Sequence, residues 1–146
     1  MADDRPDLGA LAHRLTRAVA TAEAPILAAH DLTMWDYVVL TALGSGPAPT
    51  QAQLSGRTGR DQTRLIPILE RLGDRGLLAR SPDPDDRRRR VVTLTTDGAT
   101  VLVECRTAIR DLETRLLSGL DPDDREPFVR ALQRLAGPGP DGSPTP

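Results

Sequence analysis

Helical periodicity governs most of this chain, and it breaks off over one stretch, "LLARSPDPDDRRRRVVTLT", from Leu77 to Thr95. "LLAR" is short and strand-capable, "SPDPDDRRR" forms a turn, and "RVVTLT" alternates, with Val92 and Leu94 on one side. Such a stretch reads as a two-stranded hairpin with a long basic tip. It limits the fold to helices carrying one small β element, and it sets four consecutive arginines, Arg87 to Arg90, at the end of that element.

Aromatic residues make up only 2% of the chain, so the core must be assembled from Leu, Val, Ile and Ala, which suits closely packed helices. At 146 residues there is length for one core and hardly for two. A single cysteine, Cys105, excludes an intrachain disulfide, and no apolar run approaches the ~20 residues that span a bilayer. The acidic start "MADDRPDLGA" lacks the basic and apolar regions of a secretory signal, so a cytoplasmic location and no membrane partner are expected.

The formal net charge of -2 argues weakly against a nucleic-acid partner, because such binders are often basic overall. Its distribution matters more. Residues 51–90 hold ten arginines against six acids, a local charge of +4 that leaves -6 on the remainder. A positive face on a negative body favours an oriented approach to a polyanion. All 19 basic residues are arginine, whose rigid fork of donors suits phosphates and guanine edges, although genome base composition yields the same bias.

Periods and caps mark the helices. Leu8, Leu11, Leu15, Val19, Ala22 and Ile26 define an amphipathic first helix that Pro25 kinks or ends. Thr33 with Asp36 opens a second helix as an acidic capping box, and Gly44 stops it. Thr50 with Gln53 opens a short third helix, after which Gly56 to Gly59 supply a turn. Asp61 caps a fourth, with Leu65, Ile68, Leu69 and Leu72 on one face and Gly76 at a left-handed C-terminal position. Pro67 inside it predicts a kink rather than a break. Thr95 or Thr96 caps a fifth helix that starts around Gly98 and carries Val101, Leu102, Cys105, Ile109, Leu112, Leu116 and Leu117 as its stripe. Asp121 and Pro122 open a sixth, and "GPGPDGSPTP" reads as a flexible tail.

A helix-turn-helix followed at once by a basic hairpin is the layout of a winged helix, in which one helix enters the DNA major groove and the wing reaches the backbone or the minor groove. The face of the fourth helix opposite its leucine stripe carries Arg60, Thr63, Arg64, Pro67, Glu70, Arg71 and Asp74, so its basic and small polar groups gather toward the N-terminal end. In the wing, Asp86 is placed to pair with Arg88 and restrict its rotamers before DNA arrives. An arginine there meets enhanced negative potential in a narrow A·T-rich minor groove. A charge run by itself is usually only a solvated face. Here it follows a capped helix pair and precedes an alternating strand, an order of three local signals that favours DNA binding.

The same residues resemble a known family. "DRRRRVVTLTTDG" is similar to the wing signature of the MarR family of bacterial transcriptional regulators, which reads Asp, any residue, Arg, then after a gap Leu-Thr and, after two more residues, Gly. Asp86, Arg88, Leu94, Thr95 and Gly98 occupy those positions, and "TQAQL" and "LERLGDRGLLAR" look like the segments before and after the family's recognition helix. The resemblance covers Leu32 to Gly98. It implies a mainly α, winged helix-turn-helix fold with about six helices and a two-stranded wing. It also implies a homodimer with intertwined N- and C-terminal helices, a repressor of double-stranded DNA at a pseudo-palindromic operator, and in many members relief by a small-molecule effector or oxidant. Base contacts are implied for Gln62, Thr63 and Arg64, phosphate contacts for Thr50 and Gln51, and a wing-tip contact for Arg88. The charge pattern adds Arg60, Asp86, Arg87 and Arg89 to this candidate DNA-binding set. Pro67 stands where many relatives carry a polar residue.

The expected division is an N-terminal dimerisation helix in residues 1–30, a DNA-binding domain in 31–97, C-terminal dimerisation helices in 98–136 and a tail in 137–146. The apolar stripes at the two ends exceed what one small winged helix needs, and a twofold partner would bury them. Cys105 reads as a packing cysteine, since a redox sensor needs exposure and a lowered pKa. His13 and His30 have no metal-ligand spacing around them, so no metal or cofactor is expected. Trp35 and Tyr37 suit core or interface packing, with an effector pocket as the competing role. No nucleophile motif, glycine-rich phosphate loop or paired-acid arrangement points to an enzyme. The competing function is a protein-interaction module whose basic wing docks an acidic partner, and salt and sequence dependence separate the two.

Overall fold

The computed structural model describes residues 4–137, so residues 138–146 of the expected tail lie outside the described residues. The elements follow in the order α1 (Leu8–Ala28), α2 (Met34–Leu43), α3 (Gln51–Thr58), α4 (Gln62–Asp74), β1 (Leu78–Pro82), β2 (Arg90–Leu94), α5 (Thr96–Leu117) and α6 (Pro122–Ala136). Among the described residues no helix is long and apolar enough to cross a membrane.

Both capping boxes form. Thr33 Oγ1 accepts the Asp36 N–H at 3.2 Å while Asp36 Oδ2 accepts the Thr33 N–H at 2.7 Å. Thr50 and Gln53 repeat the exchange at 3.2 and 2.9 Å, and Asp61 Oδ1 accepts the Arg64 N–H at 3.0 Å. Each satisfies donors that a helix start leaves orphaned. Three boundaries differ from expectation, while Gly44 ends α2 as the sequence indicates. Pro25 does not end α1, which continues to Ala28. Gly56 lies inside α3, whose turn is made by Gly59 alone, at φ 66°. Gly44 closes α2 in the right-handed region, so its lack of a side chain matters for a close approach instead: a Cβ there would lie 2.7 Å from Leu102 Cδ2. The fifth helix starts at Thr96, two residues earlier than read, because Thr95 Oγ1 caps it by accepting the Gly98 N–H at 3.0 Å.

α4 runs unbroken through Pro67. A proline there removes one hydrogen bond and costs ~3 kcal/mol. On either side of it Leu65, Ile68, Leu69 and Leu72 are buried. At ~1.5–3 kcal/mol for each such side chain, their burial outweighs the loss.

The core is one cluster gathered around α2, which touches α1, α3, α4, α5 and β2; Val39, Leu40, Leu54, Leu65, Leu69, Leu72, Val92 and Cys105 are its most buried members. β1 and β2 pair antiparallel from Leu78↔Leu94 to Pro82↔Arg90. The expected one-sided alternation of β2 is incomplete: Val92 faces the core, yet Val91 on the opposite side is also buried. The cause is a third rung. Thr50 bridges to Val91, and the Val92 N–H donates to Pro49 O at 2.9 Å, so the residues leading into α3 cover the outer edge of the wing.

At the base of the wing, Thr95 donates its N–H to Leu77 O at 3.2 Å and its hydroxyl to Gly76 O at 2.6 Å. The backbone of Gly98 packs directly on Leu77, where a Cβ would sit 1.8 Å from the carbonyl oxygen. This is the physical reason for the Leu-Thr-x-x-Gly spacing.

Candidate nucleic-acid interface

α4 turns Leu65, Ile68, Leu69 and Leu72 inward and leaves Gln62, Thr63, Arg64, Ile66, Pro67 and Glu70 exposed. Its first turn is therefore the free end of a capped helix, with polar side chains and the positive pole of the helix together. Arg64 keeps its side chain 70% exposed while its Nε stands 3.4 Å from the Asp61 carboxylate, an ion pair weak enough to be exchanged for a phosphate or a base edge.

The wing tip is organised by its aspartates. Asp83 Oδ1 accepts the Asp85 N–H and Asp86 Oδ1 accepts the Arg88 N–H, both at 3.0 Å, and the Asp83 N–H donates to Arg89 O at 2.9 Å. These side-chain-to-backbone bonds fold the loop without a core beneath it. The expected partner of Asp86 is corrected here. Its carboxylate holds the backbone of Arg88 and lies 3.6 Å from Arg89 Nε, whereas no carboxylate among the described residues pairs with the guanidinium of Arg88. Geometry explains the difference: an Asx turn points the Asp86 oxygens at the N–H two residues on, and the side chain within reach is then the one three residues on. Arg87 and Arg88 project into solvent.

Thr50 and Gln51 meet the wing. Together with Ala52, Gln53, Arg88, Arg89 and Arg90 they line an open cleft of about 550 Å³ between the start of α3 and the wing. The structure thus brings together the residues assigned to phosphate contact and those assigned to the wing tip.

Arg60, also expected among the DNA contacts, is held by an aromatic ring. Its guanidinium carbon lies 4.1 Å from the centroid of the Trp35 ring, and its Nε is buried without a hydrogen-bond partner. The side chain is drawn back against α2, because stacking on an indole face is available there and a solvent-facing pose would forgo it. Arg71, about half exposed, pairs with the buried carboxylate of Asp36, and Arg75 donates to Asp31 O and His30 O, both at 2.7 Å. These contacts tie α4 and the residues flanking it to α2 and the turn before α2 across separations of 25 to 45 residues, and no local signal in the sequence announces them.

Cys105 is fully buried, and burial together with nearby Glu104 pushes its thiol above the usual range. A thiol so placed is a poor nucleophile. Trp35 and Tyr37 pack against the core, and His30 faces Glu104 at 3.7 Å.

A capped helix pair, a third rung and an arginine-tipped hairpin define a winged helix-turn-helix protein. The sequence matches the model of the MarR family over residues 30–89. It is 34% identical to the HTH-type transcriptional repressor NicR of Pseudomonas putida over 105 residues, which is 72% of this chain and 66% of that protein. The PcaV transcriptional regulator from Streptomyces coelicolor in complex with its natural ligand superposes with a TM-score of 0.74 at 30% identity, covering 93% of this chain and 97% of that one. A MarR mutant from E. coli complexed with operator DNA gives a TM-score of 0.76 at 27% identity, over 89% and 94% of the two chains. The chain belongs to the MarR family of transcriptional regulators.

Proposed function

We propose that the protein is a cytoplasmic repressor, without catalytic activity, that binds double-stranded DNA as a homodimer at a pseudo-palindromic operator and is released by a small-molecule effector. One observation carries the reading: the Thr50–Val91 bridge and the Val92–Pro49 hydrogen bond lock the wing to the helix pair, so the two contact elements meet DNA at a fixed offset. In this reading α4 enters the major groove by its first turn, with Gln62, Thr63 and Arg64 on base edges. Thr50 and Gln51 hold a phosphate at the start of α3, where free amides add positive field. Arg87, Arg88 and Arg89 follow the backbone into the minor groove. Residues 31–97 form the DNA-binding unit, and residues 1–30 and 98–136 join the protomers, which sets half-sites ~34 Å apart. The repressor NicR, the ligand-bound PcaV and the operator-bound MarR support repression, ligand binding and operator binding in turn.

The test is a gel-shift titration and footprint of the full chain on the DNA flanking its own gene, against random duplex. Expected are a symmetric footprint, a preference of at least ~10³ over random DNA and a steep fall of affinity with salt. Equal affinity for both duplexes would reject the proposal.

A further inference from the structure

We infer that Ile66 and Pro67 form an apolar reader of thymine methyl groups in the major groove. The inference rests on the DNA-binding reading and names part of the sequence it selects. Isoleucine is ordinarily buried, yet Ile66 is 41% exposed. Among the described residues the other exposed large apolar side chains lie on α1, α5 and α6, apart from Met34 at the start of α2. Ile66 is therefore the exception on the surface that faces DNA.

The polar inventory of α4 leaves little else to read bases beyond its first turn. Arg71 is held by Asp36 and Arg75 by two backbone carbonyls, while Glu70 repels phosphate. At about 100° per residue, Ile66 and Pro67 bracket the outward direction of the helix, one turn beyond Gln62 and Thr63. Both are exposed there. The only apolar group a base pair presents in the major groove is the C5 methyl of thymine. Both residues are suited to meet it without loss of freedom, because an isoleucine in a helix holds one dominant χ1 rotamer and a proline ring has none to lose.

The experiment starts from an operator selected by the full-length protein from random duplexes. Each thymine is then replaced by deoxyuridine, which removes the methyl and nothing else. The wild-type protein is expected to lose affinity about fourfold per contacted methyl. Ile66→Ala and Pro67→Ala proteins, with folding verified by circular dichroism, are expected to bind the thymine and uracil operators equally at the position each residue reads. Indifference of the wild-type protein to every uracil substitution would overturn the inference, as would the same loss persisting in both variants. Selection of no sequence at all is a different result: it removes the DNA-binding reading and this inference with it.

Discussion

Gly98 shows how a residue far from DNA fixes the interface. Its Cα sits where α5 crosses Leu77, the last residue before β1, and a methyl group would overlap a backbone oxygen at 1.8 Å. A carbonyl cannot swing aside as a side-chain tip can, so Gly98→Ala is expected to destabilise the fold by more than ~3 kcal/mol in urea unfolding followed by circular dichroism. At the wing the roles divide between neighbours. Arg88→Ala removes a free guanidinium and is expected to weaken operator binding by ~1–3 kcal/mol, while Asp86→Asn keeps the acceptor for the Arg88 N–H, loses only an exposed pair with Arg89, and changes affinity by less than ~1 kcal/mol. Gel-shift titrations in which the two substitutions weaken binding equally would contradict that division. Between α1 and α5, burial and then Glu113 raise the Glu23 carboxyl above its ordinary 4.5. The native state holds this proton more tightly than the unfolded chain, so its contribution to stability declines as pH rises from about 4.5 through the raised value. Glu23→Gln is expected to abolish that decline and to melt higher at neutral pH, with no gain in acid.

At the scale of elements, α4 is steered by contacts on its inner flank. Arg60 stacks on Trp35 just before the helix begins, and Arg71 grips Asp36, which also caps α2. Arg60→Ala is expected to shift the emission of the only tryptophan without DNA present, and to cost ~0.5–2 kcal/mol of stability. Arg60→Ala is also expected to lower operator affinity while leaving the slope of log K against log salt unchanged, as a residue that positions α4 rather than a phosphate would. Arg88→Ala lowers that slope by ~1, so a parallel change in the Arg60 variant would return Arg60 to the phosphate contacts. Arg60 and Arg71 mark the limit of what the sequence discloses. Caps, leucine stripes and the wing signature are written within a few residues of one another, which is why Thr33, Thr50, Asp61 and the hairpin could be placed beforehand. The Arg60–Trp35 and Arg71–Asp36 contacts close over long loops, and an arginine aimed at solvent has the same local pattern as one folded back on a ring. The burial of Val91 is hidden from the local pattern for the same reason: its cover comes from Pro49 and Thr50, on a different segment. Gly56 reads as a turn by composition, yet an exposed glycine within a helix costs only ~1 kcal/mol and α3 absorbs it.

The whole molecule is unfinished as a single chain. α6 buries none of its residues, and Phe128, Leu132 and Leu135 form one exposed stripe at steps of four and three. Leu8, Leu11 and Leu15 do the same on the N-terminal half of α1, whose C-terminal half packs into the core through Leu27. Apolar surface of this extent, on the helices away from the wing, is what a twofold partner would cover. The full chain is expected to sediment as a dimer and the double variant Leu132→Glu, Leu135→Glu as a monomer that keeps a folded winged helix, because no core residue is touched. Its operator affinity should fall by ~10²–10⁴, the factor lost when the second half-site no longer binds as part of the same particle. The two measurements check each other. A monomeric variant that still bound the full operator at wild-type affinity would mean that one protomer supplies all the recognition and that the stripes serve another purpose. A wild-type chain that sedimented as a monomer at every concentration tested would remove the twofold arrangement and, with it, the reason for a palindromic site.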